Sequence, residues 1–345
     1  MKKWIIKSVL IAIYLLMTVS IVTAQNGRLI WTTIHSPSLE KNLLGDSPDK
    51  SVTIYLPPGY DNSDALYPVS YYLNGYTANN NMWTNSFHLH IVMDNLISQG
   101  KIQEMIVVMP DGFNSYGGSF YTNSSVSGKN EDYITKDLIE FIDSKYRTLK
   151  QKESRAIGGG SMGGYGAMKL AMKHPDIYCA VSSHSGVLSF NQRKDDVRLN
   201  PNWTQAGYLA YRAWSIAFSP NPDSPVLYDY PADENGNIRE DVWNRWLKHD
   251  PVSMVKDYQD NLRKLRGIYF DHGSWDSIVS VEDAGVPHTY EEYPGDHFDQ
   301  WANRLYIALP FLSNLLSSEM LTGVEPKGKL AITWGQMRCG KWRLY

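Results

Sequence analysis

Ser161 lies in the run Gly158-Gly159-Gly160-Ser161-Met162-Gly163-Gly164, one hydroxyl with glycine on both sides. A short apolar run, Arg155-Ala156-Ile157, precedes it, and a helical pattern over 165–173 follows and stops at His174-Pro175. Strand, tight turn and helix around Gly159-x-Ser161-x-Gly163 make a nucleophile-elbow pattern. The glycines fit because the serine of such a turn sits on a strained backbone, where neighbouring Cβ atoms would meet strand and helix. A serine hydroxyl is a poor nucleophile at neutral pH; it needs a base within hydrogen-bond reach, and the base needs a carboxylate to orient it. After an elbow serine the chain order is acid, then histidine. The histidines that follow Ser161 are His174, His184, His249, His272, His288 and His297. His297, in Tyr293-Pro294-Gly295-Asp296-His297, stands past the last predicted strand and before the last helix, where a base loop belongs. The acid should follow the preceding strand, 267–271, which leads into His272-Gly273-Ser274-Trp275-Asp276. Asp271 and Asp276 are both candidates. Asp271 ends the strand and suits a loop cap; Asp276, a loop-length further on, suits a side chain turned toward His297 and is favoured. An oxyanion hole needs two backbone N–H donors. Met162, directly after the serine, is one, and Tyr76, in Leu73-Asn74-Gly75-Tyr76, is the other. These groups together would perform acyl transfer through an acyl-enzyme on Ser161.

The elements that must position them alternate along the chain. Strand patterns cover 29–36, 51–55, 67–73 and 105–109, with a helical pattern over 87–99. The stretch 133–146 reads as an amphipathic helix with Ile134, Leu138, Phe141 and Ile142 on one face. Strands follow at 179–183, 267–271 and 289–293, and a last helix at 301–316. Such alternation predicts an α/β fold, a mostly parallel sheet covered by helices on both faces. Ligands bind such sheets beyond the carboxyl ends of the strands, and the candidate groups all follow predicted strands. Residues 190–257 break the rhythm with prolines and with Trp203, Tyr208, Tyr211, Trp214, Tyr228, Tyr230, Trp243 and Trp246, and read as an aromatic-rich cap insertion. Within it, Asp233-Glu234-Asn235-Gly236-Asn237 reads as a plain turn, its glycine misplaced for a calcium loop.

The 345 residues are 43% apolar and 20% charged, with a net charge of −3, which gives no electrostatic case for nucleic acid or an anionic membrane. Lys2, Lys3 and Lys7 precede an apolar stretch over 9–22 that ends in Val22-Thr23-Ala24, the pattern of a secretory signal cleaved near Ala24. The expected organisation is a signal peptide at 1–24, one domain at 25–320 with the insertion at about 190–257, and a basic tail at 321–345; the expected location is secreted or periplasmic. Cys179 and Cys339 are not expected to pair, and no Cys/His spacing suggests a metal or cofactor site.

The run Gly159-Gly160-Ser161-Met162-Gly163-Gly164-Tyr165-Gly166-Ala167 with His174-Pro175, together with Val108-Met109-Pro110-Asp111-Gly112 and Pro294-Gly295-Asp296-His297, resembles the Putative esterase family of α/β-hydrolases. That group includes esterase D-like S-formylglutathione hydrolases, feruloyl and acetyl-xylan esterases, and mycolyltransferases. The resemblance spans about 50–316. It implies an α/β-hydrolase fold, Ser161 as nucleophile, Asp276 as acid, His297 as base, and the backbone of Tyr76 and Met162 as oxyanion donors. Two departures stand out. Asn74 replaces a histidine that often supports the oxyanion loop, and only 277–287 separate Asp276 from the next strand, near the minimum for a parallel crossover. The expected substrate is a feruloyl or acetyl ester of a plant polysaccharide, suggested by export and by the aromatic insertion. Alternatives are an S-formylglutathione hydrolase-like thioesterase, acyl transfer to a sugar, and a non-catalytic carbohydrate-binding homologue.

Overall fold

A computed structural model of the protein describes residues 26–199, 209–274 and 286–319. Its main sheet has eight strands: β1 (Arg28–His35), β2 (Asp49–Leu56), β3 (Val69–Leu73), β4 (Ile106–Pro110), β5 (Arg155–Gly160), β6 (Ala180–His184), β7 (Gly267–Gly273) and β8 (Thr289–Tyr293). The order across the sheet is β1-β2-β4-β3-β5-β6-β7-β8. The pairs β1–β2 and β2–β4 are antiparallel and all others parallel. Strands β3 to β7 are buried residue by residue, which is why they read as continuous apolar or small-residue runs instead of alternating ones.

The main helices are α1 (Met82–Asn85), α2 (Leu89–Ser98), α3 (Leu138–Lys145), α4 (Met162–Lys173), α5 (Leu209–Phe218), α6 (Glu240–Leu247), α7 (Pro251–Leu262) and α8 (Trp301–Leu315). On one face, Tyr72, Val107, Met109 and Ala156 of the sheet pack against Leu89 and Met93 of α2 and Leu305, Leu309 and Leu312 of α8. On the other, Tyr71, Ile157, Val181 and Phe270 pack with Leu138 and Ile142 of α3, Met168 and Leu170 of α4, and Met254 of α7. Each such apolar side chain stabilises the fold by about 1.5–3 kcal/mol when fully buried. This is the doubly covered α/β sheet that the alternating pattern predicts. The helix expected over 133–146 begins with a π-turn, Tyr133–Asp137, before α3. There the Asp137 carboxylate accepts from Ser36 Oγ (2.5 Å) and Ser38 N (3.0 Å), so the widened turn anchors the segment after β1.

The aromatic cluster of the insertion is present, and its rings face one another. Trp214, Phe218, Trp243 and Trp246 are buried. Phe190 lies 4.8 Å from Trp214, Trp214 lies 5.6 Å from Trp246, and both Phe190 and Phe218 lie 5.8 Å from Tyr165 of α4. The cluster is a packed core that clamps α5, α6 and α7 onto the helix behind the elbow. Trp203 and Tyr208 lie outside the described residues. The 233–237 segment is a plain turn, Asp233 accepting from the N–H groups of Asn235 and Asn237. Cys179 is a buried thiol, unpaired among the described residues, whose pKa burial pushes up to about 12.

Candidate active site

Ser161 stands between the last residue of β5 and the first of α4, at φ 54° and ψ −118°. A non-glycine residue there carries about 1–3 kcal/mol of backbone strain, which the surroundings must hold in place. They do so from three sides. The Ser161 N–H donates to His184 O at 2.8 Å. A Cβ on Gly159 would come within 2.6 Å of Gly163 C, and one on Gly163 would meet the Leu73 carbonyl, so the turn closes only with glycine at both positions. The strain exposes the hydroxyl and leaves the Met162 N–H at the positive end of the twelve-residue helix α4.

The segment after β3 lies against this turn. A Cβ on Gly75 would sit 3.5 Å from Gly160 O and 3.7 Å from Ser161 Cβ. Asn74 holds the segment from within. Its Nδ2 donates to Gly75 O (3.0 Å) and Ala78 O (2.8 Å), and its Oδ1 accepts from Gly112 N (2.9 Å) and Tyr121 OH (3.1 Å). The side chain is 1% exposed, so these four bonds replace water entirely. The Gly75 N–H donates to Met82 Sδ (3.3 Å) and the Thr77 N–H to Gly117 O (2.8 Å). Neither the Tyr76 N–H nor the Met162 N–H has a protein acceptor among the described residues. Asparagine at 74 thus holds the 74–78 segment, where the resemblance has a histidine, by four hydrogen bonds.

His297 follows the tight turn after β8, where Gly295 adopts φ 146°. Asp296 Oδ1 accepts from Phe298 N (3.1 Å) and Asp299 N (3.3 Å), which fixes the backbone around the histidine. The imidazole packs 4.7 Å from Phe298 and 5.8 Å from Trp301. The Trp301 ring in turn lies where a side chain on Gly160 would go, so His297 is linked to the elbow through one indole. Gly273, at the end of β7, packs on the backbone of Gly295 and Asp296. Asp276, three residues on, lies outside the described residues.

The other candidate acid is committed elsewhere. Asp271 is fully buried and accepts from His184 Nδ1 (3.1 Å), Tyr269 OH (2.7 Å) and Arg304 Nε (2.9 Å). Burial pushes its carboxyl up, but His184, Tyr269 and Arg304 together hold it below the usual carboxylate range. His184 Nε2 meets Tyr72 OH at 3.1 Å. Arg304 also binds Tyr269 OH and Glu291. The pair is therefore a His–Asp couple closed inside the sheet beneath the elbow, where it supports Ser161 through the His184 carbonyl. His184, fully buried, does not line the cleft. Neither Arg304 nor this network was legible in the sequence. His174 is likewise structural, its Nε2 lying 2.8 Å from Glu131.

A cleft of about 450 Å³ opens at Ser161, between Gly75, Tyr76, Met82, Phe87 and Phe298. The rest of its wall among the described residues, Thr77, Ala78 and Ser86, is also uncharged. None of the described insertion residues lines it. Sequence reasoning missed Met82, Phe87 and Phe298; adjacency to His297 was the available signal for Phe298. No group of three metal-ligating side chains occurs among the described residues.

The model of the family described as Putative esterase matches residues 47–312, from just before β2 into the last turn of α8, a range that includes Ser161, the segment after β3 and the turn at His297. The chain belongs to the Putative esterase family. It is 27% identical over 262 residues, 71% of its length, to an esterase of Mycobacterium tuberculosis. The chain spans about half the length, 52%, of the curated relatives it matches there. It is 30% identical over 133 residues to an endo-1,4-beta-xylanase/feruloyl esterase of Xylanibacter ruminicola, covering 37% of this chain and 18% of that one. Among solved structures, a ferulic acid esterase superposes with a TM-score of 0.61 at 24% identity, over 84% of this chain and 99% of its own. The likeness shows that the esterase domain has the α/β-hydrolase fold.

Proposed function

We propose that the protein is an exported serine esterase that cleaves feruloyl esters of plant polysaccharides through an acyl-enzyme on Ser161. The observation that carries this reading is the strained Ser161 backbone, with the N–H groups of Tyr76 and Met162 left without acceptors among the described residues, at an aromatic cleft whose described wall is uncharged. Ser161 Oγ attacks the ester carbonyl as its proton passes to His297, which Asp276 orients. The oxyanion is held by the Tyr76 and Met162 N–H groups, which favour developing negative charge more than the ground-state carbonyl. Collapse expels the alcohol with the proton from His297, and water repeats the sequence to release the acid. Residues 1–24, with their signal pattern, direct export.

The cleft supports an aromatic acyl group over acetyl. Its volume is that of a site for a drug-sized ligand, and Tyr76, Phe87 and Phe298 offer ring faces with Met82 between them. The described tryptophans of the insertion, Trp214, Trp243 and Trp246, do not support this choice, because they are packed inward. An uncharged lining also argues against a glutathione thioester, whose carboxylates call for cationic partners. The test is a panel of methyl ferulate, acetylated xylan, S-formylglutathione and p-nitrophenyl esters of graded length, with Ser161→Ala as the control. The reading predicts methyl ferulate as the best substrate and loss of all hydrolysis in S161A. Undiminished hydrolysis by S161A, or a preference for S-formylglutathione, contradicts it.

A further inference from the structure

The outward face of β1 carries Trp31, Thr33 and His35, all exposed. Trp31 is 60% exposed, against 0% for Trp83, Trp246 and Trp301. Its indole is nevertheless held. Nε1 donates to Asn81 Oδ1 at 2.9 Å, and Asn81 Oδ1 also accepts from Thr53 Oγ1 at 3.0 Å. Thr53, paired with Trp31 across β1 and β2, accepts from Asn80 Nδ2 at 2.8 Å. The polar edge of the ring is thus satisfied within the protein, and an oriented apolar face is left in water. Asn81 directly precedes Met82, a wall of the catalytic cleft, and its N–H donates to the exposed Asn79 at 2.9 Å. Four strand steps separate β1 from β5, which is about 19 Å at the usual strand spacing.

We propose that Trp31 is a stacking platform for a sugar ring of the polysaccharide chain that bears the ester, a glycan subsite beyond the acyl cleft. This inference rests on the polysaccharide-ester reading of the cleft. A pyranose ring presents a C–H face that an indole covers and a rim of hydroxyls that polar side chains bind; exposed Thr33, two residues along the same face of β1, and exposed Asn79, which accepts from the N–H of Asn81, are the candidates for that rim. An extended glycan whose esterified sugar lies at Ser161 needs only a few further rings to cover four strand spacings. A fixed indole loses little freedom on binding, which favours a weak, repeated ligand of this kind.

The experiment uses the full chain in gels containing de-esterified arabinoxylan, with wild type, Trp31→Ala and Trp31→Phe. Wild type should be retarded, W31A should lose about tenfold in affinity, the scale of a truncated aromatic anchor, and W31F should keep most of it. On feruloylated arabinoxylan, W31A should raise KM about tenfold, while kcat/KM for methyl ferulate stays within about twofold. Equal retardation of wild type and W31A overturns the proposal, as does a change in oligomeric state of W31A without a change in arabinoxylan affinity. Should W31A fail to fold, W31F decides: retained affinity supports the platform and lost affinity overturns it. Retardation without hydrolysis of any ester leaves the platform standing and removes the esterase reading. Rapid hydrolysis without retardation does the reverse.

Discussion

Asn74→Ala perturbs the segment that carries Tyr76, the proposed oxyanion donor. The substitution removes two donors that fix Gly75 O and Ala78 O and one acceptor shared by Gly112 N and Tyr121 OH. The site is buried, so water does not replace these bonds without a rearrangement. Each buried polar group left unsatisfied costs about 1–3 kcal/mol. With partial relaxation, a stability loss of about 2–4 kcal/mol follows. The expected catalytic effect comes through the proposed donor, the Tyr76 N–H, whose direction depends on the carbonyls on either side of it. Complete loss of one oxyanion donor lowers kcat by about 10²–10³. A displaced donor loses part of that, so kcat should fall about 10- to 100-fold with KM nearly unchanged. Steady-state kinetics with p-nitrophenyl acetate, alongside urea unfolding, separates the two effects. A variant that has lost 2 kcal/mol or more of stability yet keeps kcat within about threefold would show that Asn74 only packs, and the reasoning would fail.

Asp276→Asn should lower kcat by about 10³–10⁴ with little change in unfolding midpoint, since a triad acid orients its base without carrying the fold. Asp271→Asn should do the opposite, destabilising by about 3–5 kcal/mol because Arg304 and His184 lose a buried partner; a larger kcat effect from D271N than from D276N would exchange the two roles. Gly163→Ala drives a Cβ into the Leu73 carbonyl and within 2.9 Å of Asn74 O, so stability should fall by about 2–3 kcal/mol and reaction of Ser161 with a fluorophosphonate should slow; an unaffected rate would mean that the turn tolerates the side chain. Burial opposes ionisation of Glu131, and bonds from His174 and Lys173 overcome it, bringing its pKa from 4.5 down to about 2. Its folded pKa is the lower one, so its stabilisation is complete above the unfolded value and disappears as pH falls through 2. Between pH 6 and 3 wild type should lose about 2 kcal/mol that Glu131→Gln does not, measured by urea unfolding; parallel profiles for the two proteins would refute the assignment.

The elbow was legible because its chemistry constrains residue types locally. Glycine at 159 and 163 is required by contacts with the turn itself and with Leu73, and both lie within a few residues of Ser161. The strands were legible as short apolar runs and the amphipathic helices from periodicity, but the exchange of β3 and β4 in the sheet order was not, since both are apolar runs without a signature of position. Phe87 read as the start of a helix. The helix starts at Leu89, because His88 takes φ 52° at its N-terminus, and that turn lets Phe87 face the cleft. The insertion misled for a different reason. Its aromatic residues have the composition of a sugar-binding surface, and composition does not tell an exposed ring from one packed on Tyr165. The Asp271–Arg304 couple joins residues 33 apart on a strand and a helix, and no local pattern announces such a pair.

Whether Ser161 is the activated nucleophile is tested most directly by reaction of the full chain with a fluorophosphonate, followed by peptide mass spectrometry. One adduct per chain is expected on Ser161, with none in S161A and a rate reduced by a factor of about 10³ or more in His297→Ala. An adduct on Ser182 or Ser185 beside the buried His184, or no adduct on wild type, would contradict it.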